Sequence, residues 1–212
     1  MKLLIFGPTG GSGAQLLAQA LDAGHDVTAV ARDPGRIPAA GHARLTLITG
    51  DVLEPRTWEA AVGGHEAVLS CLGSRDRKHP TTVYSRGTAN IIDAMSRAGV
   101  RRLMCLSSAG LEIPPETPLP QKLVTRFLIQ RLYRHGYADM AAMERVVAAS
   151  AVDWTIIRPP MLTDGPLTGR YRAAVGRHLA NPRRISRADL AHYMLSHVED
   201  HGTWQRTVEV SS

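Results

Sequence analysis

The stretch from Met1 to Gly13, reading MKLLIFGPTGGSG, constrains this chain more than any other. Lys2 to Phe6 is a short aliphatic run that fits a buried strand and stops at Gly7. Gly7-x-x-Gly10-x-x-Gly13 follows at once, and then AQLLAQALDAGHD, whose apolar residues recur at helical spacing. A strand, a glycine turn and a helix in direct succession make a cradle for an anion. The glycines let the backbone turn tightly and come close to a pyrophosphate, and the helix N-terminus turns unpaired N–H groups and its positive dipole end toward it. Gly11 belongs to the same turn, while Thr9 and Ser12 add hydroxyl donors. The stretch therefore predicts dinucleotide binding by Gly7, Thr9, Gly10, Gly11, Ser12 and Gly13; without its flanking strand and helix a glycine triplet would be only a turn.

A chain of 212 residues is most economically a single domain over residues 1–212, long enough to bury a substantial core. Its 44% hydrophobic and 21% charged residues are ordinary for a globular protein and exclude a disordered or fibrous one. No apolar stretch has bilayer-spanning length, and Met1-Lys2 runs straight into the first strand without signal-peptide architecture, so a cytoplasmic protein with no membrane partner is expected. Cys71 and Cys105 lie in predicted strands and in no C-x-x-C spacing, which predicts two buried thiols and neither a disulfide framework nor a metal site. The net charge of +6 raises the question of nucleic acid, but the Lys and Arg are dispersed and no nucleic-acid signature accompanies them. A phosphorylated cofactor and an anionic small-molecule substrate would use part of that charge.

Strands and helices then alternate. Asp26 to Val30 reads as the second strand and delivers Ala31-Arg32-Asp33-Pro34-Gly35-Arg36, at the point where a dinucleotide fold meets the adenosine ribose. Arg32, with Arg36 as helper, suits a 2′-phosphate, while Asp33 suits either a ribose diol or the turn that Pro-Gly favours. NADPH is accordingly expected over NADH. Leu45 to Thr49 is a third strand, and Asp51 and Val52 beyond it are placed for the adenine, Asp51 also being a candidate to cap a turn before a helix from Pro55 to Val62. His65 to Cys71 reads as a fourth strand ending in Leu72-Gly73-Ser74-Arg75, with Leu72 and Gly73 at the ligand edge. A helix is expected from Thr81 to Ala98, closed by Gly99, and a fifth strand from Arg101 to Leu106 that delivers Ser107 and Ser108 beside the reactive ring, unless both serines only cap the loop.

The stretch from Leu111 to Leu119 is rich in proline and predicts a loop. Gln121 to Tyr133 reads as an amphipathic basic helix, with Leu123, Val124, Phe127, Leu128 and Leu132 on one side and Lys122, Arg126, Arg131 and Arg134 elsewhere. A helix from Tyr137 to Ser150 and a strand from Asp153 to Arg158 follow, then Pro159-Pro160-Met161-Leu162. Ser186 and Asp189 form a variant capping box for the last helix, and Thr203 to Val210 alternates as a final edge strand.

The glycine spacing resembles that of short-chain and extended dehydrogenases and reductases. IFGPTGGSG, ARDPGRIP, GDVL, LGSR with PTTV, the strand-end SSA, RPPMLTDGPLTGRY and ISRADLAHYML together resemble the NADPH-dependent biliverdin-IXβ and flavin reductases of the NmrA-like, atypical short-chain group. The resemblance implies a Rossmann-like, doubly wound parallel sheet with a small substrate side, mainly residues 111–136 and 159–185, and hydride transfer from NADPH to a flavin or linear tetrapyrrole. It carries the phosphate-binding glycines to Gly7, Gly10 and Gly13, the 2′-phosphate arginine to Arg32, the pocket arginine to Arg75 and the active-site serine to Ser108. Two departures bear on substrate. The family's His after the double proline is Met161 here, which cannot donate a proton, and the region from Glu112 to Gly136 looks longer. The Tyr-Lys pair of ordinary short-chain dehydrogenases is also incomplete, because Ala141 stands four residues after Tyr137.

Two functions are thus expected to compete. In the first, a monomer or small homo-oligomer reduces a planar acceptor (a flavin, quinone or tetrapyrrole), with Ser108 orienting it, Arg75 attracting its anionic groups, Met161 and Leu162 beneath it and Pro159 and Ser107 beside the cofactor. Flavin enters that reading as a substrate, not as a prosthetic group. In the second the chain is a non-catalytic NADP(H) sensor. An isomerase or dehydratase with a resident nucleotide is a third reading.

Overall fold

The glycine turn sits where the chain reverses direction in the sheet. In the computed structural model of the protein, which describes the chain except residues 75, 77, 114–118, 125, 126 and 129 and the side chains of 120, 121 and 124, β1 (Lys2–Phe6) lies between β2 (Asp26–Ala31) and β4 (Ala67–Ser70). With β3 (Leu45–Thr49), β5 (Arg102–Leu106), β6 (Asp153–Arg158), β8 (Arg172–Val175) and β10 (Arg206–Ser211), the order is β3-β2-β1-β4-β5-β6-β10-β8. Every pairing in it is parallel except that of β10 with β8. β7 (Met161–Thr163) and β9 (Arg184–Ser186) form a separate parallel pair.

This is a Rossmann-like α/β domain, and its layers follow from strand periodicity. Leu3 and Ile5 point into one core with Leu16, Leu17, Leu190 and Met194; Leu4 and Phe6 point into the other with Ile91, Met95, Met143 and Val147. Helices α1 (Gly11–Asp22) and α6 (Arg187–Ser196) therefore cover one face, and α2 (Ser85–Ala98) and α5 (Arg134–Ala148) the other. The two thiols are buried as expected; burial pushes the Cys71 thiol up to about 12 and raises that of Cys105 as well.

Three sequence expectations change. β10 is not an edge strand: β8 covers it, and the short, exposed and strongly basic surroundings of β8 carry no alternating pattern. The helix expected from Pro55 to Val62 is two 3-10 turns, Pro55–Thr57 and Glu59–Ala61. Between them Trp58 takes φ −146°, which drives its indole into the core against Phe6 at 4.8 Å and lets Nε1 donate to the Asp51 carbonyl at 2.8 Å. Burial of that ring outweighs helix continuity. Helix α2 begins at Ser85 rather than Thr81 because Asp139 of α5 caps it, accepting from the Tyr84 N–H at 2.8 Å and from the Ser85 N–H and hydroxyl. Of the basic helix expected from Gln121 to Tyr133, the helical pieces α3 (Leu119–Val124) and α4 (Gln130–Leu132) are described, and residues 125, 126 and 129, Arg126 included, lie outside the described residues. Of the proline-rich loop, residues 114–118 do so as well.

Candidate active site

Gly7 must be glycine on two counts: its φ is +76°, and a Cβ on it would run into the carbonyl of Cys71 at the end of β4. Gly13 is held as tightly, since a Cβ there would fall on the Gly7 carbonyl oxygen and stand 2.8 Å from the Gly7 carbon. The two glycines pack β1, the turn and α1 into one close unit at the switch point of the sheet, where open α/β sheets place their ligands. Helix α1 starts at Gly11 behind Gly10, which supplies no side-chain cap, and no acidic residue stands in the first turn. The first-turn N–H groups are thus left for an external anion.

A cation stands beside them. The side chain of Arg187, from the first turn of α6, crosses Gly11 so closely that a Cβ there would lie 2.7 Å from both its Cδ and Nε. Its Nη1 donates to Asp164 Oδ1 at 2.6 Å, and the Asp164 side chain is 90% exposed. Sequence reasoning missed Arg187; the signal lay in ISRADL, where an arginine in the first turn of a capped helix opposes the usual dipole preference.

Arg32 and Arg36 are exposed just past β2, Arg36 inside a 3-10 turn over Pro34–Arg36. Asp33 precedes that turn and its carbonyl accepts the Arg36 N–H at 3.3 Å, but its side chain makes no cap. Asp51 does the turn work: its Oδ1 accepts the Leu53 N–H at 2.9 Å. Val52 is buried, with its methyl groups 2.9 and 3.1 Å from where a Gly87 Cβ would stand. Leu72 reaches the same place at 3.2 Å, and past Gly73 the Ser74 N–H donates to the Tyr84 hydroxyl at 3.0 Å.

Beyond the ends of β5 and β6 opens a cleft of about 1430 Å³, larger than the usual single-ligand pocket of about 300–1,000 Å³. Ser107, Ser108, Pro159, Met161 and Leu162 line it, so the structure brings together all the residues expected at the reactive end except Arg75, which lies outside the described residues. Arg187 also lines it and so links the glycine turn to the cleft. Ser108 both caps its loop, accepting the Gly110 N–H at 3.2 Å, and turns its hydroxyl toward that of Tyr137 at 3.5 Å. Tyr137 stacks on Tyr133 with ring centroids 5.8 Å apart. Ser107 caps nothing: its buried hydroxyl has no partner among the described residues. An orphaned buried hydroxyl at the cleft, an uncapped helix and a turn with no room for a side chain at Gly7 or Gly13 fit a bound dinucleotide.

Charged groups gather around Glu112 and His178, which line the cleft. Arg158 is held by Glu144 at 2.5 Å and Glu112 at 2.8 Å; burial works against its charge, but the two carboxylates outweigh it and raise the guanidinium further. His178, which sequence reasoning did not single out, donates from Nδ1 to Oε1 of the buried Glu209 at 2.7 Å and lines the cleft. Asp189 ties the segment before β8 to α6. Its Oδ1 accepts the Thr168 and Gly169 N–H groups at 2.7 and 2.9 Å, while the Ser186 hydroxyl accepts the Asp189 N–H at 2.9 Å, completing the expected cap. Burial alone would raise the Asp189 carboxyl, but these bonds outweigh it and hold it below its ordinary value.

Fold and site together point to an NAD(P)H-binding protein. A family model described as NAD(P)H-binding matches residues 7–201, and the chain belongs to that family. A short-chain dehydrogenase/reductase from Veillonella parvula, solved in complex with NADP, superposes with a TM-score of 0.84 at 22% identity, covering 100% of this chain and 94% of that one. An anaerobilin reductase from Escherichia coli O157:H7 superposes with a TM-score of 0.79 at 22% identity, covering 100% and 97%. In sequence the chain is 28% identical over 175 residues to an uncharacterised chloroplastic protein of Arabidopsis thaliana, 79% of this chain and 61% of that one. It is 32% identical over 118 residues to a 3β-hydroxysteroid dehydrogenase/isomerase of Mycobacterium tuberculosis, 50% of this chain and 31% of that one. The chain thus spans less than two thirds of the length of these two curated relatives.

Proposed function

We propose that the protein is an NADPH-dependent reductase of planar acceptors such as flavins, quinones or linear tetrapyrroles. The observation that carries the reading is that Arg187 lies both against the uncapped glycine turn and in a cleft of about 1430 Å³ that the orphaned Ser107 hydroxyl also lines. The N–H groups of Gly11, Ser12 and Gly13 would hold the diphosphate with Arg187, and Arg32 with Arg36 would take the 2′-phosphate, which favours NADPH over NADH. When bound, the cofactor supplies the hydride. Ser107 and Pro159 would flank the nicotinamide. Ser108, its hydroxyl positioned by Tyr137, would hydrogen-bond a polar atom of the acceptor, and Met161 and Leu162 would support its face. Met161 cannot donate a proton, so the proton comes from solvent or from Tyr137 or His178 at the cleft wall.

Ala141 in place of a lysine favours one rival, a sensor that binds NADP(H) without turnover. Mixing the protein with NADPH and a panel of flavins, quinones and tetrapyrroles separates the two. The reductase reading expects acceptor-dependent NADPH oxidation, slower with NADH; tight NADPH binding with no oxidation across the panel establishes the sensor instead.

A further inference from the structure

Among the described residues eight large hydrophobic side chains are exposed, and five of them, Leu119, Leu123, Phe127, Leu128 and Leu132, belong to one short segment. Their exposure runs from 52% to 73%, so these five side chains do not pack on the sheet. The same segment is strongly basic: from Thr117 to Ala138 the sequence holds Lys122, Arg126, Arg131 and Arg134 and no Asp or Glu. Phe127, Leu128 and Leu132 share a shallow depression with Lys78, Arg131 and Arg134, and Tyr133 and Gly136, next along the chain, line the cleft.

We infer that this face docks on an anionic lipid bilayer. Clustered apolar side chains flanked by cations of one sign are what an interfacial segment needs: the side chains enter the acyl boundary while Lys and Arg meet the phosphates. No helix among the described residues is long and apolar enough to cross a membrane, and the contact proposed is with the bilayer surface. A protein partner fits less well, because protein-binding hot spots favour Trp, Tyr and Arg and under-use Leu, which dominates here. The inference revises the expectation of no membrane contact and stands apart from the reductase reading. Because the segment runs into the cleft wall, a docked protein would hold its cleft next to the lipid, where apolar planar acceptors dissolve.

Sedimentation of the full chain with vesicles tests this. Association is expected with phosphatidylcholine vesicles containing phosphatidylglycerol, and it should be weak with phosphatidylcholine alone and reduced by high salt. Arg131→Glu with Arg134→Glu should weaken it about thirtyfold or more, from about fivefold per cation lost. Phe127→Glu with Leu128→Glu should abolish it, while both variants keep wild-type NADP(H) affinity as the control for folding. Failure to bind anionic vesicles overturns the inference, as does binding unchanged in both variants. A dimer in light scattering that Phe127→Glu with Leu128→Glu dissociates, without lipid binding by the wild type, overturns it in favour of an interface between copies.

Discussion

Arg187 lies across Gly11 with its Cδ and Nε each 2.7 Å from where a Cβ would be, and its guanidinium is tied to the exposed carboxylate of Asp164. An aspartate in water is a replaceable partner, and a diphosphate arriving at the helix N-terminus would be a stronger one. Arg187→Ala should weaken NADP(H) binding about tenfold and make it less sensitive to salt. Asp164→Asn should tighten it about two- to fivefold by freeing the arginine. Gly11→Ala should mimic the loss in the wild type by displacing that side chain, yet add little in the Arg187→Ala background. Isothermal titration of the three variants and the double variant checks the set; unchanged affinity in Arg187→Ala contradicts it.

Ser108 and Tyr137 act as one hydrogen-bonded unit. Ser108→Ala should lower the turnover of a flavin or quinone acceptor up to about tenfold while leaving NADPH affinity near wild type. Tyr137→Phe, which retains the stacked ring, should have a smaller effect that largely vanishes on top of Ser108→Ala. Steady-state kinetics on both substrates reads this out, and fully additive losses would show that the two hydroxyls act separately.

The glycine turn allows folding and binding to be separated. Gly13→Ala places a Cβ on the Gly7 carbonyl and should cost about 2–4 kcal/mol of stability, measured by denaturant unfolding. At Gly10 a Cβ meets only the Gly7 oxygen at 3.5 Å, an ordinary contact, so Gly10→Ala should fold normally and report on nucleotide affinity alone. Equal destabilisation by the two substitutions would contradict the packing described for this turn.

Asp189 sets an acid limit on stability. Its carboxyl is depressed in the folded state, so the stabilisation is complete above the ordinary value of 3.8 and is lost as pH falls through the lower folded value. Asp189→Asn should cost about 2 kcal/mol at neutral pH and flatten the acid limb of the stability curve. Unfolding measured across the acid range checks the sign, and an unchanged acid slope contradicts it.

The parallel core was readable because each strand-turn-helix unit carries its own signal: Lys2 to Phe6 before Gly7, Gly99 at the left-handed φ of +73° closing α2, and Ser186 capping α6. What escaped depends on distant partners. The cap of α2 comes from Asp139, fifty-five residues beyond Tyr84, and Trp58 breaks its helix to reach Phe6. β8 is a strand only because β10 pairs with it. At the site, Ser107, Ser108 and Pro159 were legible as strand-end residues, whereas Arg187 and His178 reach the cleft from the far end of the chain. No local spacing announces such a crossing.

A bound dinucleotide is expected to rest its diphosphate on the α1 N-terminus and to carry its nicotinamide to Ser108. A crystal structure of the protein with NADP+ measures this directly. The diphosphate should accept from the Gly11, Ser12 and Gly13 N–H groups with Arg187 turned from Asp164 to meet it, and the nicotinamide should lie beside Ser107 and Ser108. A nucleotide bound elsewhere, or one whose nicotinamide points away from the serines, would contradict it.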